Sequence, residues 1–133
     1  DELTLIADEA APRPAIKGKA GPKALVGSGA DASVQGSLSK ETIRRVLSRH
    51  RSLARHCYEE ALVKRPTLQG KVRMKITIGA DGKVLRAVSD GGPNGKLKPV
   101  GDCLERLVEL MIFPKPKGGG IVIVNYPFTF KPG

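Results

Sequence analysis

The chain of 133 residues contains no tryptophan, two tyrosines and three phenylalanines. Proteins that read single strands of nucleic acid stack bases on exposed rings. Here three of the five rings, Tyr126, Phe128 and Phe130, fall at alternate positions of one hydrophobic run, where core packing accounts for them. Nucleic acid is therefore not the expected partner. Nothing approaches the roughly 18 consecutive apolar residues of a membrane helix, and no leader peptide is legible. The start at Asp1 leads to the expectation of a fragment, with an anchor or signal upstream.

Cysteine is scarce as well: only Cys57 and Cys103. No CxxC or HxxxH spacing exists, and a zinc site would need His50, His56, Cys57 and Cys103 to converge. No metal or other cofactor is expected. His56 and Cys57 are neighbours, and neighbours on a helix point about 100° apart, so they do not form a nucleophile and its base. No second orienting group is evident, and no catalytic residue is assigned. The glycine-rich pieces GPNGK and KGGG neither follow a strand nor open a helix as a phosphate loop does.

What is present is positive charge, unevenly placed. Residues 1–37 carry five acids and four bases, whereas the remaining 96 residues carry 19 bases and eight acids. A domain this basic favours an anionic partner or surface. Residues 1–37 are rich in Ala, Gly, Pro and Lys without helical or strand period, and read as a flexible linker. Within them DELTLIADE could add a short strand if a sheet edge were offered.

From residue 38 the pattern is periodic. Ser39 is a plausible N-cap for KETIRRVLSRHRSLARHCYEEALVK, with apolar residues mainly at three- and four-residue steps, arginines opposite, and Pro66 as the stop. Ser48 or Ser52 is the candidate break. Val72, Met74, Ile76 and Ile78 then alternate with polar residues as a half-buried strand, GADG turns, and residues 83–90 return with ambiguous facing. Residues 98–111 form a second amphipathic helix, ended by Pro114 and Pro116, and IVIVNYPFTF is the strongest strand. The order α-β-β-α-β implies an α+β domain over residues 38–133, a three-stranded antiparallel sheet packed on helices.

Cys57 and Cys103 sit in the two helices, 46 residues apart, with the hairpin between them. Paired, they would staple helix to helix, stabilise by roughly 4 kcal/mol on the chain-entropy model, and place the domain in an oxidising compartment. Unpaired, they would be small buried hydrophobes. The last strand carries the functional expectation. Val122, Val124, Tyr126 and Phe128 should face the helices. Pro127 has no N–H, so the odd-numbered set should point away from the ladder, leaving the backbone of Ile121, Ile123 and Asn125 as a free edge. Free edges aggregate unless covered, and proteins that keep one use it to capture a partner strand. The N-terminal segment or the mate in a homodimer is the alternative cover.

CYEEALVKRPTLQGKVRMKITIGADGKV, DCLERL and FPKPKGGGIVIVNYPFTF together resemble the AgmX/PglI C-terminal domain, of the TonB C-terminal-like fold, over residues 40–131. The resemblance implies a periplasmic domain tethered by a linker to an inner-membrane anchor. It implies a role in an envelope-spanning gliding-motility or TonB-like transport machine, gripping an outer-membrane or periplasmic protein by strand addition and transmitting force or energy. It matches Cys57 and Cys103 to the family's cysteines and residues 121–128 to the partner-capturing edge. The expectation is thus a non-enzymatic interaction module. The alternative is a basic domain for an anionic envelope polymer or nucleic acid.

Overall fold

The computed structural model describes residues 25–26 and 32–132. Chain order is β1 (Leu25–Val26), β2 (Ser33–Gln35), α1 (Lys40–Arg49), α2 (Arg51–Lys64), β3 (Gly70–Ile78), β4 (Val84–Ser89), α3 (Lys98–Glu109) and β5 (Val122–Lys131). The architecture is α+β. All strand pairs are antiparallel, in the order β1-β5-β3-β4, with β2 also pairing to β5.

Three of these strands match the expected sheet, and two do not. β1 and β2 lie inside the stretch read as linker. Strands of two and three residues leave no measurable period, so their signal is the edge that receives them, not their own sequence. The expectation for DELTLIADE falls on residues outside those described.

Helix α1 starts where its cap predicts: Ser39 Oγ accepts the Thr42 N–H at 3.1 Å. The break comes at His50, between the two serines considered. His50 caps both helices with φ −109° and ψ 17°, and its ring Nδ1 bonds the Val46 carbonyl at 3.0 Å. The ring thus takes the acceptor that the His50 N–H would use in a continuous helix, and that N–H donates instead to the Leu47 carbonyl at 3.0 Å.

The core lies between the helices and one sheet face. Val72, Met74, Ile76 and Ile78 of β3 are fully buried, as are Val122, Val124 and Phe130 of β5. Ile43, Leu62, Leu104 and Val108 close over them. The ambiguous facing of β4 has a physical cause. Ile78 pairs with Val84 but Thr77 pairs with Arg86, so Leu85 is an extra residue in a bulge. Val84 and Ala87 therefore share the inner face, and Leu85 is left exposed.

Tyr58 anchors the centre. Its side chain is fully buried, its ring lies 4.9 Å from that of Phe130, and its hydroxyl donates to the Leu68 carbonyl. Burial pushes its pKa from 10.0 up to about 12. The buried phenol stays protonated, so its contribution is intact below pH 10. It is lost as pH rises from 10 toward 12, by about 1.4 kcal/mol per unit. Tyr58→Phe should cost about 1 kcal/mol at neutral pH and flatten part of the alkaline slope. Urea melts at pH 7, 10 and 11 check this; an unchanged slope in the variant would assign it to another group.

Candidate functional site

β5 is an interior strand, and this corrects the expectation of a free edge. On one side it pairs with β3 from Gly70↔Phe130 to Ile78↔Val122. On the other, β1 pairs Leu25↔Lys131 and Val26↔Phe130, and β2 pairs Ser33↔Asn125, Val34↔Val124 and Gln35↔Ile123. The backbones of Ile123 and Asn125 are covered by the chain's own β2. Ile121 precedes the strand, and its side chain is 54% exposed.

The expected orientation holds even though the vacancy does not. Arg73 stands opposite Pro127, and the Arg73 N–H goes the other way, to Asp90 Oδ1 at 3.1 Å. The pair is therefore not hydrogen-bonded, and the donor that Pro127 lacks would have pointed outward. The odd-numbered residues of β5 aim at β1 and β2, and Val122, Val124, Tyr126 and Phe128 turn inward and are buried. Among the described residues no strand pairs with the outer side of Pro127–Thr129. The gap between β1 and β2 spans Pro127, where no donor is lost.

The opposite edge of the sheet is sealed differently. β4 is covered by α3. Gly101 packs so closely on β4 that a Cβ there would lie 2.2 Å from Ser89 Oγ. Glu105 reaches over and accepts the outward Ser89 N–H at 2.8 Å. α3 is tied to α2 by the Cys57–Cys103 disulfide, with Cα atoms 5.7 Å apart. One edge is thus closed by a packed, cross-linked helix, and the other, among the described residues, by five residues in two short strands.

Sequence reading missed Gly101, Glu105 and the β2 residues Ser33–Gln35. A glycine in an otherwise amphipathic helix was the available signal for close approach; Glu105 and β2 offered none.

The remaining candidate chemistry is dispersed. His50 is engaged with Val46, and His56 Nε2 meets Glu60 Oε2 at 3.2 Å. The cysteines bond each other, so the four residues weighed as a zinc set have other partners. All five aromatic side chains are buried, which leaves no exposed stacking surface. Burial raises the Tyr126 pKa, against the opposing pull of Arg44 and Arg51. Among the described residues no helix is long and apolar enough to cross a membrane.

Comparison with known proteins found one informative relative. Over 97 residues, 71% of this chain, the sequence is 34% identical to the tyrosine-protein kinase MasK of Myxococcus xanthus strain DK1622. The match spans only 14% of that protein, so the chain corresponds to a small part of it. No family model matches the chain, and the likeness to the AgmX/PglI domain remains a resemblance. No solved structure matches. The Myxococcus relative fits the myxobacterial direction of that resemblance, and a structural disulfide fits an extracytoplasmic, oxidising setting.

Proposed function

We propose that this is a non-enzymatic, TonB C-terminal-like interaction module that works in the periplasm. It captures an outer-membrane or periplasmic partner by adding that partner's strand to β5, as part of an envelope-spanning gliding-motility or transport machine that transmits force. The observation that carries the reading is the asymmetry of the two sheet edges. β4 cannot be freed without moving a cross-linked helix. Among the described residues the outer side of β5 is held by Leu25–Val26 and Ser33–Gln35, strands too short to be stable on their own. A longer incoming strand would replace them and could also pair opposite Pro127–Thr129, where no described strand lies. A stretch that forms a small part of a kinase is also more naturally an accessory binding module than a catalytic core.

The test uses strand exchange. Ser33 and Gln35 stand opposite the outward-facing Asn125 and Ile123. Ser33→Pro with Gln35→Pro removes both donors and should unzip β2, leaving the core intact. A labelled peptide of residues 25–37 should then bind this variant at least tenfold more tightly than the native chain. Adding Ile123→Pro, which deletes an outward donor of β5, should abolish the gain. Equal binding by all three chains would sink the edge as a capture site.

A further inference from the structure

A cleft of about 470 Å³ lies between the end of α2 and the start of α3, directly over the disulfide. Its floor is apolar: Ala61, Leu68, Pro99 and the Cys57–Cys103 bridge. Its rim is cationic: Lys64 and Arg65 on one side, Lys96 and Arg106 on the other. The single acid in the lining, Glu60, is already engaged by His56 at 3.2 Å. Nearby Asp102 is held by Lys98 and Glu105 by the Ser89 N–H. The four rim cations have no ion-pair partner among the described residues. An apolar floor ringed by four cations fits a segment that is acidic and apolar together. A simple inorganic anion would leave the floor unused.

We infer that this cleft receives the chain's own residues 1–9, DELTLIADE, in cis. That stretch has four acids, Asp1, Glu2, Asp8 and Glu9, no base, and the apolar Leu3, Leu5 and Ile6 between them. It is the complement of the cleft in both charge and hydrophobicity. Its tether ends beside the cleft. Val26 pairs with Phe130, Phe130 pairs with Gly70, and a Cβ at Gly70 would lie 3.0 Å from both Leu97 and Pro93, next to Gly95 and Lys96 of the lining. Residues 10–24 can span roughly 50 Å when extended, far more than this route needs. A tether of this length keeps the segment at an effective concentration in the millimolar range, so weak contacts suffice.

The inference does not depend on strand capture at β5, and its test leaves β5 untouched. The full chain is treated with a zero-length carbodiimide at low salt, and the coupled peptides are identified by mass spectrometry. Isotope-labelled and unlabelled chains are mixed, so that links within and between molecules are told apart. The expected result is intramolecular coupling of Asp1, Glu2, Asp8 or Glu9 to Lys64 or Lys96, falling at least tenfold in 1 M salt. Arg65→Glu with Arg106→Glu leaves the coupling lysines in place and reverses half of the rim. It should lower the yield at least tenfold while the thermal melt stays unchanged. Coupling mainly to Lys71 or Lys75 on the far sheet face, links mainly between labelled and unlabelled chains, or a yield indifferent to the arginine reversal would each overturn it.

Discussion

Cys57→Ala with Cys103→Ala should be the most damaging change that leaves the sheet's hydrogen bonds untouched. The bridge closes a loop of 46 residues, worth roughly 4 kcal/mol of restriction on the unfolded chain. A typical domain is stable by only about 5–15 kcal/mol in total. The expected fall in Tm is on the order of 20 °C for a domain of this size. The structure adds a local consequence. The bridge pins α3, and α3 carries both Gly101, flush against β4, and Glu105, which accepts the Ser89 N–H. Amide exchange at Ser89 should therefore accelerate in the double variant more than exchange at Val124, which lies within the β3–β5 ladder. Chemical denaturation of the oxidised, reduced and alanine forms checks the first statement. A loss below about 1 kcal/mol would mean that packing alone holds the two helices.

Gly82→Ala should be comparably severe, for an unrelated reason. Gly82 has φ of +86°, and a Cβ there would sit 2.1 Å from the Phe113 carbonyl oxygen. That oxygen is backbone, and the same two residues are joined by the Phe113 N–H donating to the Gly82 carbonyl at 2.9 Å. The clash cannot be relieved by turning a side chain. It must push away the segment that seats Phe113, which is 2% exposed, into the core. We expect a loss of about 3 kcal/mol or more, combining backbone strain with disrupted packing. Gly118→Ala is the matched control: its φ is +81°, yet nothing lies within 4 Å of the added carbon. It should cost about 1 kcal/mol from the dihedral alone. Equal losses in the two variants would show that the Phe113 segment yields freely.

The β5 edge illustrates why a correct local inference about direction can still misjudge vacancy. Pro127 fixes the direction of every odd-numbered backbone group in β5 by a purely local rule, and the orientation follows. Whether those groups are vacant is a matter of what else the chain brings to them. Ser33–Gln35 has no pattern of its own and becomes a strand only because β5 presents unpaired groups. The helix break is similar. Two serines suggest it, but a histidine between them makes it, through a ring bond to a carbonyl one turn earlier.

What the sequence by itself determined is the α+β order, the two amphipathic helices, and the long inward-facing rows of β3 and β5. It also set the outward aim of β5's odd-numbered groups. These rest on periodicity and on proline geometry, which act within a few residues. Tertiary structure decided that Cys57 and Cys103 meet, that Gly82 abuts Phe113, that α3 seals β4, and that β1 and β2 close β5. Each of these joins residues far apart in the chain. Their geometry exists only once the core has set the distances between them.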